Sequence, residues 1–121
     1  MRVAETGEDR ALRRGDGLVS HLLHSRADVS ETDLTITWVE VEPGASQVPH
    51  AHDPEQVYVI VAGRGLMTVG DDRREVSAGE LVHIPSNTDH GIENTGTETL
   101  EYVSAATPAF PTEEVAEFYD A

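Results

Sequence analysis

His50 and His52 stand one residue apart in "PHAHDPEQVYVIVAGRG", a spacing that puts two imidazoles on one face of an extended chain. Such a pair suits a divalent transition metal, for which imidazole is a common ligand. An anionic ligand is expected to follow, and there the chain offers Glu55 and Gln56 side by side. A carboxylate at the metal removes one unit of its charge, whereas an amide leaves the charge whole.

These residues must be carried by strands. From Gly17 onward the chain is a succession of short β-type runs, among them "GLVSHLLHS", "DLTITWVEVEPG", "EQVYVIVAG", "ELVHIPSN" and "TLEYVSAA". Gly and Asn sit at most of the junctions. About eight strands at this spacing leave no room for βαβ crossovers, so an antiparallel sandwich or barrel is expected. "VGDDRREV" reads as a hairpin. Residues 1–16 read as a mobile lead-in and 17–110 as the β domain. The tail 111–121, beginning at a proline, has the pattern of a short helix.

Composition narrows the chemistry. With 121 residues the chain makes one domain, and with no cysteine it has neither thiol catalysis nor a zinc-thiolate site. Against 23 acidic residues stand 8 basic ones, all arginine, for a net charge of -15. That field disfavours nucleic acid, whose phosphates need clustered Lys and Arg. It fits a halophilic protein, in which salt screens the self-repulsion. "VYVIVA" is too short to span a bilayer and the N-terminus has no apolar leader, so no membrane role and a cytoplasmic location are expected.

Two spaced clusters then carry a resemblance. Gly44, His50, His52 and Gly63 form one; Gly79, Pro85, His90 and Asn94 form the other. In spacing they resemble the two motifs of the cupins, G-x5-H-x-H-x3-4-E-x6-G and G-x5-P-x-G-x2-H-x3-N, over roughly residues 34–105. Asn87 replaces a motif glycine, a mild change because Asn tolerates a left-handed turn. Counting back from Gly63, the motif glutamate falls on Gln56. Strand parity agrees: Gln56, Tyr58 and Ile60 continue the face of His50 and His52, while Glu55 goes with Val57, Val59 and Val61.

The resemblance implies a cupin jelly roll with a central cavity and a metal held by His50, His52, His90 and Gln56. The donor set would be neutral, leaving Zn, Fe, Mn, Ni or Cu its double charge and favouring an anionic small-molecule ligand. The alternative is a cupin that has lost its metal. Tyr58, on the inward face, and His83, in "ELVHIP", are the candidate acid-base groups. Cupins of this size are commonly homodimers, and the valine face of the Tyr58 strand is an apolar patch wanting cover. The functions implied are a metal-dependent isomerase, cyclase or dioxygenase acting on a small oxygenated molecule, or a non-catalytic sensor or carrier. A structural or storage role is a third reading.

Overall fold

The computed structural model describes residues 1–15 and 17–111. Among them lie ten strands: β1 (Ala11–Arg14), β2 (Leu18–His24), β3 (Thr35–Val41), β4 (Ser46–His50), β5 (Glu55–Ala62), β6 (Arg64–Val69), β7 (Asp72–Ser77), β8 (Leu81–Ile84), β9 (His90–Glu93) and β10 (Leu100–Thr107). A six-stranded sheet runs β1-β2-β3-β10-β5-β8 and a four-stranded sheet runs β4-β9-β6-β7. Every pairing is antiparallel. The architecture is the expected all-β jelly roll. The "VGDDRREV" hairpin is present as β6 and β7, with Val69 paired to Asp72. The helix expected over 111–121 lies outside the described residues.

Alternation along the strands builds the core. On β5, Gln56, Tyr58 and Ile60 are buried, and on β10 so are Leu100, Tyr102, Ser104 and Ala106. They meet Val39 and Val41 of β3 and, from the opposing sheet, Met67 and Ile92. Each large aliphatic side chain so buried contributes about 1.5–3 kcal/mol. The outward residues of β5 stay in contact with solvent: Val59 is 40% and Val61 42% exposed, beside Leu81 of β8 at 60%. Trp38 is half-buried on this outer side, across from Val103, with its indole N–H on Glu101.

The N-terminal segment departs from expectation. Within residues 1–16, read as a lead-in, Ala11–Arg14 form a strand paired to Leu18–His21. Gly15 and Gly17, both at positive φ, turn the chain between them. A strand of four residues with two arginines has little intrinsic signal; its stability comes from the free edge of β2.

Gly63 joins β5 to β6 at φ 79°, and a Cβ there would lie 2.7 Å from the Thr99 carbonyl oxygen. Gly79, at φ 93°, has open space around it. Both substitutions to alanine strain the backbone, but only Gly63→Ala must also push β10 aside. Gly63→Ala is expected to destabilise by roughly 1–3 kcal/mol more than Gly79→Ala in chemical unfolding; equal losses would mean that crowding contributes nothing.

Candidate metal centre

His50 ends β4 and His90 begins β9, and the two are cross-strand partners. An irregularity in β4 between Gln47 and His50 re-aims the strand end. Pro49 is tolerated in it because β4 is an edge strand. His52 follows in the connection to β5. The three histidines offer ring nitrogens that all lie within 4.8 Å of one another, with ring centroids 4.4 to 5.5 Å apart. They are placed to bind a metal ion together.

Hydrogen bonds prepare two of these rings. His50 Nδ1–H donates to the Val48 carbonyl at 2.7 Å, and His90 Nδ1–H to the Thr88 carbonyl at 2.9 Å. Each bond leaves the lone pair on Nε2. The Nε2 of His90 is buried with no hydrogen-bond partner among the described residues. So is Oε1 of Gln56, whose amide Nε2 donates to Ser104 Oγ at 3.1 Å. Each orphaned acceptor costs about 1–3 kcal/mol unless something supplies a partner. A divalent cation would meet both needs, and the donor set of imidazoles and an amide oxygen suits one.

Charge agrees with this. Burial lowers the pKa of His50, His52 and His90. His52 falls to about 4, first through burial, then through its two fellow histidines and Arg14. All three are therefore neutral ligands at pH 7.

The site residues named from sequence divide in two. His50, His52, Gln56 and Tyr58 line one small cavity of about 30 Å³, space for about two waters. Tyr58 packs edge-on to His90 at 5.8 Å and stacks on Tyr102 at 4.3 Å. Burial, then Tyr102, raises its pKa well above 10. Tyr58 is thus a neutral phenol at pH 7.

His83 does not join them. On β8, Ile84 and Val82 face inward, so Leu81 and His83 face out. His83 Nε2 instead lies 2.5 Å from Glu55 Oε2 on the exposed side of β5. Glu55 therefore points away from the cavity that Gln56 lines. As a ligand or base for this centre, His83 is on the wrong face of the sheet.

Among the wall residues that the sequence reading did not single out are Ser104, Phe110 and Arg14. Ser104 orients the Gln56 amide. Phe110 lays its ring edge on His52 at 4.9 Å, its backbone N–H fixed to Thr35 Oγ1. Arg14 reaches in from β1, its Nη2 donating to Gln47 Oε1 at 2.9 Å and Ser20 Oγ at 3.2 Å. None carried a spacing signal; a hydrophobic or polar alternation leading to the same face was the most that could be seen.

A histidine with a depressed pKa binds fewer protons folded than unfolded, so stability rises with pH between the two values. For His52 the contribution is whole above about 6.5 and is lost as pH falls toward about 4. The urea midpoint of chelator-treated protein should fall over this window, and His52→Gln should flatten part of the slope. Identical slopes in the two proteins would contradict the buried neutral imidazole.

Comparison with known proteins follows the geometry. Residues 37–106 match the family model described as the cupin domain. The uncharacterized protein MJ1618 of Methanocaldococcus jannaschii is 28% identical over 118 residues, 94% of each chain. An oxalate-binding protein of Thermotoga maritima is 29% identical over 92 residues, 75% of each. Among solved structures, a predicted oxalate decarboxylase from Thermotoga maritima superposes with TM-score 0.79 at 22% identity, covering 88% of this chain and 99% of that one. The last likeness speaks to fold alone. With its family model spanning most of the barrel and its histidines gathered at one end of β4 and β9, the chain belongs to the cupins.

Proposed function

We propose that the protein binds a divalent transition metal through His50, His52, His90 and Gln56 and acts there on a small oxygenated organic molecule. The supporting observation is the pair of buried acceptors, His90 Nε2 and Gln56 Oε1, that find no hydrogen-bond partner among the described residues. A bound ion would supply Lewis acidity, with an open position for ligand or substrate. Zn would suffice for isomerase- or cyclase-like chemistry; Fe, Mn, Ni or Cu would be needed for dioxygenase-like chemistry. The neutral donor set tilts the reading to the Lewis-acid branch, because it leaves the ion its full charge. The protein's part is to hold the imidazoles neutral, fix the Gln56 amide through Ser104 and exclude bulk water with Phe110.

A second reading is a non-catalytic binder of a small anion, a sensor or carrier. The outward placement of His83 and the raised pKa of the buried Tyr58 favour it, since the cavity then offers little proton-transfer capacity. The oxalate-binding relative is in keeping with it. Turnover of a candidate substrate by metal-loaded protein would separate the two readings. The net charge of -15 supports a salt-rich setting.

Elemental analysis of protein purified without tag or chelator tests the centre. About one metal per chain is expected, absent in His52→Ala, held tighter in Gln56→Glu and roughly 10-fold weaker in Ser104→Ala. Wild-type protein that is empty and takes up none of Zn, Fe, Mn, Ni or Cu would overturn the assignment.

A homodimer through the outer face of the six-stranded sheet is a further part of the proposal. Val59, Val61 and Leu81 give that face exposed apolar area on adjoining strands. Light scattering in concentrated salt should return twice the 13.1 kDa chain mass; a monomer mass would remove the dimer.

A further inference from the structure

The three imidazoles are not held in the same way. His50 and His90 each donate from Nδ1 to a backbone carbonyl, that of Val48 and that of Thr88. His52 has no ring hydrogen bond among the described residues; its ring meets the other two imidazoles and the edge of Phe110. It also stands outside any strand, in the connection from β4 to β5. Ring contacts restrain a side chain less sharply than a directional hydrogen bond, so the aim of His52 depends on its backbone.

That backbone is gripped from the connection between β8 and β9. Asn87 N–H donates to the His52 carbonyl at 2.6 Å, and Ser86 Oγ donates to the Asp53 carbonyl. These two bonds fix successive peptide units, and Pro54 follows with its φ locked by the ring. A third bond fixes the side chain between them: Asn87 Nδ2 donates to Asp53 Oδ1 at 3.2 Å, with Ser86 Oγ also in reach at 3.4 Å. One residue on, the same connection supplies the Thr88 carbonyl that holds His90. A single loop therefore bears on two of the three imidazoles.

Asn87 sits at φ 56°, in the left-handed region. Asparagine is tolerated there and glycine is unstrained, so a glycine would supply both the turn and the backbone N–H. What the amide adds is the bond to the Asp53 carboxylate, charge-assisted and stronger than one between neutral groups. Its reach is to the residue that follows a candidate ligand, a task beyond turning the chain.

We propose that Asn87 is a positioning residue for His52: its backbone holds the His52 carbonyl, and its amide, on Asp53, fixes the bend that aims the third imidazole at the centre. This deepens the metal-centre reading and rests on it for the consequence, tighter metal binding; the placement of the ring needs no metal.

The test uses the full-length protein. Asn87→Gly keeps the left-handed turn and the net charge and removes only the amide. Exchanging the partners, Asn87→Asp with Asp53→Asn, also keeps the charge and rebuilds the bond with donor and acceptor reversed. Zinc affinity by competition titration should fall roughly 3- to 10-fold in Asn87→Gly and return to within about 2-fold of wild type in the exchanged protein. In metal-free Asn87→Gly the ring resonances of His52 should move further than those of His50 and His90, a pattern that general loosening does not give. Hydrogen exchange at the wild-type Asn87 N–H should be slowed, a readout that survives if a variant fails to fold. Zinc affinity within about 2-fold of wild type in folded Asn87→Gly overturns the proposal. So does an exchanged protein as weak as Asn87→Gly, a His52 ring that moves no more than the other two, or exchange at Asn87 as fast as in an unstructured chain. If wild type takes up no zinc but the His52 resonances respond as expected, the metal reading fails and the positioning role stands.

Discussion

The pairing of β4 with β9 sets His50 opposite His90, and the centre is built outward from that contact. Antiparallel partners of this kind have side chains about 5 Å apart, close enough for two imidazoles to share one ion. Neither ring can drift far, because each is tied at Nδ1 to a backbone carbonyl two residues earlier in its own chain segment. His52 then needs only a short extension past the end of β4 to join them. The barrel around these strands serves largely to hold β4 and β9 in that register while keeping water scarce.

The second organising factor is how the interior treats polarity. Gln56 and Ser104 are both buried polar residues on neighbouring strands, and their hydrogen bond consumes the donor end of the amide. The acceptor end has no partner among the described residues. An amide can divide its duties in this way because its two ends differ, one giving hydrogen bonds and the other taking them. A carboxylate at position 56 would have two like ends and would bring a charge into a space where burial already resists charge on three imidazoles.

Much of this was legible in the chain itself. The histidine spacing, the glycines at 44, 63 and 79, and the alternation through "EQVYVIVAG" lead to the β architecture and to the opposite facings of Glu55 and Gln56. Parity failed to decide His83 because its neighbours Leu81 and Val82 are both apolar, and only the placement of Ile84 in the core shows which face is inward. Arg14 was hidden by a different cause: "ALRR" has the composition of a solvated terminus, and its strand exists because β2 offers an unpaired edge. Ser104 and Phe110 depend on how β10 registers against β5 and β3. Such long-range register is a property of the whole fold, absent from any local window.

Arg14 gives the first residues of the chain a part in the architecture that their composition conceals. β1 and β4 are terminal strands of different sheets, and the Arg14–Gln47 bond fastens one to the other. Trimming the polar N-terminus as dispensable, or crowding it with a fused partner, would unbutton a seam of the barrel next to the histidines. For a protein engineer the safe place to attach cargo is therefore not the end of the chain that looks most expendable.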